Sequence, residues 1–417
     1  MKLSGICGLM VKIKSYLLPF ILFPAAGATA AQPPGLSLTL PEVIYAAPGI
    51  ESCIYFRNVV DSAVPDQYAY EVRCLKGTQG KHRWFWTPGP DDAGKSFELE
   101  LRLFNDYGLV ISGKTRIVVA GAAANPERKI TLALLADSGI NCGYPQHLMK
   151  LMHSQGFPNY MPVGSLSGVN QLAKPGEAAH DGYGGFSWNS FLSRWFYSEE
   201  ELPPVQQAAE REQMLKLGVR KLPKSQAWRL RSPLLKLENG KKILDIPGWL
   251  ARINQGKTPD FIIVQLGGND MFGCRPEKLD SQIAAVMAQA GRLLTELRKH
   301  APDAVIGVAT APAGCGQDGF GANYGCRQSQ YQYRRNIQRY NRELPVTVRK
   351  LADPKILIVP LHQCIDPDCS YLTAEVPVHA RSSKKVCRDS NALHASKEGG
   401  MQLGDALYCW LRKQLEK

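Results

Sequence analysis

The rhythm of hydrophobic and polar positions changes near residue 125. Between residues 36 and 121 no helical period appears. Short alternating or β-rich runs follow one another: Leu36 to Leu40, Cys53 to Val59, Tyr68 to Cys74, Arg83 to Trp86, Phe97 to Phe104 and Thr115 to Ala120. Turn-forming clusters such as Pro48-Gly49, Pro88-Gly89-Pro90-Asp91-Asp92 and Asn105-Asp106-Tyr107-Gly108 separate them. Short strands at this spacing predict an Ig-like antiparallel β-sandwich over 36–121. Ala123-Ala124-Asn125-Pro126-Glu127 reads as a linker. The β-rich part shows no chemistry of its own. Packing against the rest of the chain is its expected role, with glycan binding as the alternative.

From residue 128 to 415 strand and helix patterns alternate, which predicts an α/β domain with a mostly parallel sheet. The predicted strands are Ile130–Ala136, Asn159–Val163, Phe261–Leu266, Val305–Ala309 and Ile356–Pro360. The predicted helices are Pro145–Gln155, Ser281–Lys299, Gln328–Arg342 and Lys397–Lys413. In the second of these, Ile283, Val286, Met287, Ala290, Leu293, Leu294 and Leu297 form one apolar stripe, so that helix is expected to cover the sheet. The polar segment Glu199 to Lys257 is longer than a connection needs. A lid or pocket wall is expected there, or a surface embellishment.

The chain has 417 residues, 44% of them hydrophobic, enough for two packed domains. Residues 1–30 stand apart. Lys12 and Lys14 precede the apolar run Tyr16 to Phe23, and Ala28-Thr29-Ala30 supplies small residues for cleavage. This is the pattern of a secretory signal peptide, and Met10 is an alternative start. No segment has the ~18 consecutive apolar residues of a membrane span. The expected location is therefore periplasmic or extracellular. Removing Cys7 with the leader leaves ten cysteines, an even number that fits up to five disulfides in an exported chain. Cys53–Cys74 and Cys315–Cys326 are the expected pairs. The net charge of +13 suits either solubility or attraction to an anionic partner. No nucleic-acid motif is present. Tyr331, Tyr333 and Tyr340 interleave with Arg334, Arg335, Arg339 and Arg342, which reads as a solvated basic helix face, with polyanion binding as the alternative. His362, Cys364, Asp366, Asp368 and Cys369 lie close together, but their spacing matches no zinc signature.

Three segments carry chemistry. Ala136-Asp137-Ser138-Gly139 follows a buried strand and presents a serine at a turn. Leu266-Gly267-Gly268-Asn269-Asp270 follows a second strand. Asn391-Ala392-Leu393-His394 precedes the last helix. A serine needs a base to take its proton and donors aimed at the developing oxyanion, and histidine is the side chain suited to that proton near neutral pH. Open α/β sheets gather their sites at the carboxyl ends of the strands. There, Ser138 and Asn269 reach the same edge.

Ser, Gly, Asn and His in this order and setting resemble the SGNH (GDSL-type) hydrolase superfamily, over roughly residues 128 to 415. The resemblance implies a three-layer α/β/α domain with a flavodoxin-like parallel sheet, acting as a serine ester hydrolase that needs no metal and no cofactor. It casts Ser138 as nucleophile and His394 as base. The oxyanion hole is then the Ser138 amide, Asn269 and a glycine of His180-Asp181-Gly182-Tyr183-Gly184-Gly185-Phe186, with Gly185, just before the aromatic residue, matching better than Gly184. The superfamily's orienting Asp, three residues before the His, is Asn391 here. A dyad oriented by Asn391 or by a main-chain carbonyl is expected, with Asp389 as a substitute. An acylated glycan, deacetylated by the enzyme, is the expected substrate. A lipase or arylesterase, an acyltransferase, or a non-catalytic glycan-binding protein are the alternatives.

Overall fold

The computed structural model describes residues 35–169, 171–195, 212 and 231–416. The leader expected at residues 1–30, and most of the polar segment from Glu199 expected to be a lid, a pocket wall or an embellishment, lie outside these. In the longest strands of the N-terminal module every second residue turns inward. Leu99, Leu101 and Leu103 of the strand Ser96–Asn105 are fully buried, and they share one core with Ile54, Phe56, Trp84 and Ile117. Four strands lie in the order Val43–Ala46, Gly108–Val119, Ser96–Asn105, Ala69–Cys74, and three more in the order Ser52–Tyr55, Arg83–Trp86, Thr78–Gln79. The pairing is antiparallel throughout these two sheets except between Val43–Ala46 and the end of Gly108–Val119, which run parallel.

The expected strand Cys53–Val59 ends early, because Phe56–Val59 forms a helical turn. There the Asn58 side chain donates to the Ile365 carbonyl (2.7 Å), and the Asn58 carbonyl accepts from Gln338 (2.6 Å). Those contacts with the second domain override the local β pattern. The cysteine pairing is also corrected. All ten cysteines among the described residues are free. Cys53 and Cys74 stand in different sheets, and Cys53 Sγ instead meets the Cys364 carbonyl at 3.3 Å. Cys315 is sealed against the Asn391 carbonyl at 3.1 Å, while Cys326 is exposed. Nearness in sequence had suggested pairs that the fold separates.

The second domain is built on β1 (Ile130–Ala136), α1 (Tyr144–Ser154), β2 (Tyr160–Val163), β3 (Asp181–Gly182), α2 (Trp188–Ser193), α3 (Ile246–Asn254), β4 (Phe261–Gln265), α4 (Leu279–His300), β5 (Val305–Ala309), α5 (Gln317–Tyr324), α6 (Gln330–Lys350), β6 (Ile356–Val359), a hairpin of β7 (Thr373–Pro377) and β8 (Lys385–Asp389), and α7 (Lys397–Gln414). The parallel sheet runs β2-β1-β4-β5-β6, with the short β3 added beside the end of β1. Counted along the chain without β3, this is the flavodoxin-like order 2-1-3-4-5. Every residue of β1 and of β4 is buried, which explains their continuous apolar runs. Helix α1 packs on α7, and α4 packs with α2, α3 and α6, so that helices flank the sheet. The apolar stripe of α4 is buried as its spacing requires. Helix α6 runs eight residues past its expected end and contains Pro345. Buried Leu344 and Val348 carry its apolar face onward against the core, and that burial outweighs the backbone hydrogen bond lost at the proline.

The two domains are closely joined. The Tyr55 amide donates to the Gln363 carbonyl (2.9 Å), and Arg342 pairs with Asp61 (2.7 Å). His362, weighed above as a metal ligand, uses both ring nitrogens in this joint, one with Thr310 Oγ1 (2.9 Å) and one with the Thr39 carbonyl (2.8 Å). The linker is pinned to the chain's other end, since Arg412 donates to the Gly121 carbonyl and the Ala124 amide to that of Leu415, both at 3.0 Å. Among the described residues no helix is long and apolar enough to cross a membrane.

Candidate active site

Strand β1 and its neighbour β4 flank the point where the strand order reverses, and the crevice outside their carboxyl ends is where such sheets form sites. Ser138 follows β1 at the start of a 3-10 turn, Ser138–Cys142. The Asp137 carboxylate caps that turn by accepting from the Gly139 amide at 2.8 Å. Helix α1 starts only after Gly143, so Ser138 sits on a tight turn and not on a long helix. Two glycines allow the close packing. A Cβ on Gly182 of β3 would lie 2.4 Å from the Ile140 side chain. Gly267, at φ +114°, turns the chain after β4, where a Cβ would lie 2.4 Å from the Tyr340 ring. No other residue fits at either place without displacing the turn.

His394 reaches the serine from the far side. Its Nε2 lies 2.9 Å from Ser138 Oγ. Burial holds its pKa below the ordinary imidazole value, because the charged ring loses solvation. Ser138 and His394 line a cavity of about 50 Å³ with Asn269, Gly268, Tyr333, Tyr371 and Leu393. The site therefore brings together a hydroxyl, a neutral base and an amide in a small, partly apolar space.

Asn269 is held on two sides. Its Nδ2 donates to the Phe186 carbonyl (3.0 Å) and to Asp137 Oδ2 (3.2 Å). Asp137 thus grips both the serine turn and the amide. Burial pushes its pKa up to about 6. An acyl oxygen entering beside Asn269 has to share the N–H now directed at Asp137. Gly185 is linked to the same place through its neighbour Phe186. It is exposed at φ +70°, and its carbonyl accepts from Arg194 at 2.9 Å. The amides of Ser138 and Gly185 donate to no group among the described residues. Gly185 stands outside the lining of the cavity itself.

Asn391 departs from expectation. Its side-chain oxygen accepts from the backbone amides of Leu393 (3.1 Å) and His394 (2.9 Å). The residue shapes the loop that carries the histidine, and its amide does not bind the ring. An amide oxygen three residues before a backbone N–H closes such a turn readily, and the two contacts fill its acceptor sites. Asp389 is no substitute, since its carboxylate accepts from the Gly316 amide at 2.9 Å. His394 Nδ1 has no hydrogen-bond partner among the described residues.

Sequence reasoning passed over the double grip of Asp137 and the cavity wall made by Tyr333. The signal for Tyr333 was the spacing of Tyr333, Ile337, Tyr340 and Leu344, which places one buried face on α6. The basic face expected there is not wholly solvated, since Arg334 is buried and donates to the Ser62 and Ala63 carbonyls. The segment from Glu199 is expected to form a lid or pocket wall, or a surface embellishment. Its described part forms the strands Leu235–Glu238 and Lys241–Leu244 and then α3, and none of that part lines the cavity.

A family model, GDSL-like Lipase/Acylhydrolase, matches residues 167–407, more than half of the chain. The match includes Asn269 and His394 and begins after Ser138, which the fold returns to it. Among solved structures, the chain is similar to a carbohydrate esterase family 3 protein from Talaromyces cellulolyticus (14% identity, 69% of this chain and 98% of that one, TM-score 0.39). It is similar also to a family 3 carbohydrate esterase from Clostridium thermocellum (16% identity, 70% and 100%, TM-score 0.37). These likenesses are too slight to bear on substrate. Among curated proteins no match is found.

Proposed function

The chain belongs to the GDSL-like lipase/acylhydrolase family, and from that premise we propose that Ser138 and His394 hydrolyse short acyl esters, acetyl foremost, on a glycan outside the cytoplasm. The observation that carries this reading is the 2.9 Å contact of His394 Nε2 with Ser138 Oγ beside Asn269. With its proton on Nδ1, the neutral ring accepts the hydroxyl proton at Nε2 as Oγ attacks the acyl carbon. The amides of Ser138 and Gly185 and the Asn269 side chain receive the oxyanion. His394 then returns the proton to the departing sugar oxygen. Water then attacks the acyl carbon as His394 takes its proton, the Oγ–acyl bond breaks, and His394 returns that proton to Ser138 Oγ as the acid leaves.

A cavity of about 50 Å³ favours acetyl over long chains. The signal-like residues 1–30 support export. The β-rich module and the basic charge suit a polymer. Hydrolysis of p-nitrophenyl acetate and p-nitrophenyl octanoate by the mature protein tests the reading. The acetate is expected to be preferred by at least about tenfold in kcat/KM, since a misfit of several methylenes exceeds the ~1–3 kcal/mol assigned to one. Preference for octanoate would make the protein a lipase, and inertness toward both would point to a transferase or a binding protein.

The lowered pKa of His394 fixes the sign of the pH dependence. The base works unprotonated, so kcat/KM is expected to rise through a midpoint below about 6.5 and to stay level above it. Asn391→Ala is expected to cost less than about tenfold, far below the ~10⁴ lost when a charged triad member is neutralised. Asn391→Asp keeps both backbone contacts and adds a negative charge near the ring. It should move the acid limb to higher pH, because a nearby anion favours the imidazolium. A limb that does not move between wild type and Asn391→Asp would show that this side chain has no electrical hold on His394.

A further inference from the structure

The connection from β6 to α7 carries His394, and a bare loop would serve for that. Here it holds an exposed hairpin. Strands β7 and β8 pair from Thr373↔Asp389 to Pro377↔Lys385, and residues 372–388 are almost entirely exposed. The hairpin grows from the catalytic loop itself. The Leu372 amide donates to the His394 carbonyl (3.2 Å), and the Ser390 amide to that of Leu372 (2.8 Å). Tyr371, one residue before, forms a bridge with Ala395 and lines the cavity. The base is fixed on its outer side by Arg388 with Asp318 of α5 (2.9 Å) and by Asp389 with the Gly316 amide.

The far end is basic. Arg381, Lys384 and Lys385 crowd the tip, and among the described residues their side chains form no ion pair. Other arginines among the described residues do have carboxylate partners, Arg57, Arg83, Arg102, Arg298 and Arg342 among them. A five-residue strand reaches roughly 17 Å, the span of a polymer segment and not of a single sugar. Like charges held together without counter-charges repel one another, and a bound polyanion relieves that repulsion.

We propose that this hairpin is a substrate-binding arm, and that the ester substrate is a polyanionic glycan whose charge is carried by sugar carboxylates. The inference rests on the hydrolase reading above. Nucleic acid carries no acyl ester to bring to Ser138. A membrane surface would need an apolar tip, and Val378 is the one large apolar residue exposed there.

The test compares wild type with the triple variant Arg381→Ala, Lys384→Ala, Lys385→Ala on O-acetylated polygalacturonate, on O-acetylated xylan and on p-nitrophenyl acetate. The substituted side chains are exposed and form no hydrogen bond or ion pair among the described residues, so the variant should fold. Its kcat/KM on the acidic polymer is expected to fall about tenfold, mainly through KM, with the small ester unchanged. Raising salt should erode the wild-type advantage and leave the variant flat. Equal losses on both polymers, or none, would overturn the proposal. Titration with de-esterified polygalacturonate reads the arm without catalysis. Weaker binding by the variant supports the arm even if no ester is cleaved, and then only the hydrolase reading falls. Equal binding by both proteins, or hairpin-dependent capture by anionic phosphatidylglycerol vesicles with no effect of polygalacturonate, removes the glycan arm and leaves the hydrolase reading standing.

Discussion

Ser138→Ala is expected to lower p-nitrophenyl acetate hydrolysis by about 10⁴-fold or more, with His394→Ala close behind it. The two side chains act as one unit across 2.9 Å. Without the hydroxyl there is no attacking oxygen. Without the ring, that oxygen keeps its proton and attacks poorly. Members of such a unit are far from additive, so the double variant should be hardly slower than either single one. Residual rate would come from the oxyanion donors alone. Folding should survive, because among the described residues Ser138 Oγ hydrogen-bonds only with His394 and the turn is capped by Asp137 instead. A normal melting temperature beside lost activity is the expected pair of results. Activity retained in Ser138→Ala would move the nucleophile elsewhere.

The second large effect belongs to Asn269. Asn269→Ala is expected to cost about 10²–10³ in kcat with KM little changed, the loss typical of one oxyanion donor. The substitution has a structural side as well. It strips a donor from the Phe186 carbonyl and from Asp137 Oδ2. Leaving a buried acceptor unsatisfied costs about 1–3 kcal/mol, so this variant should also melt earlier. The two effects separate through temperature. Well below the melting transition, the kcat loss persists if Asn269 touches the oxyanion. It would vanish if Asn269 served only to hold the Phe186 turn. Asn269→Asp sharpens the comparison, since it faces the Asp137 carboxylate with a second one and replaces a donor by an acceptor.

Both variants were foreseeable from sequence because strand ends are well marked. Continuous apolar runs gave β1 and β4, and a residue just past a parallel strand can point to few places. Ser138 and Asn269 were legible for that reason, and His394 from its place just before the last helix. The role of Asn391 was not. Its spacing from His394 is the same whether its side chain reaches the ring or closes the turn, and the choice depends on loop dihedrals that carry no periodic signal. The cysteine pairs failed for a related reason. Cys53 and Cys74 are near in sequence, but a β-strand of one sheet and a strand of another diverge within a few residues. The turn Phe56–Val59 has a purely tertiary cause, the contacts of Asn58 with Ile365 and Gln338. Helix α6 continues past its expected end at Arg342 and through Pro345, where burial of Leu344 and Val348 prevails.

The joint between the modules bears on how such a chain could be inherited. Asp61 completes Arg342, the Thr39 carbonyl completes His362, and the Gly121 carbonyl completes Arg412. A gene fragment starting at the linker would deliver a hydrolase whose exposed wall carries these polar groups, and Gln338 with them, without those partners. Shuffling this catalytic domain onto a new partner would therefore require rewriting the wall first. The β-rich module is then less a passenger that arrived by fusion than a heritable part of the enzyme's own shell, and the two halves should drift together through evolution.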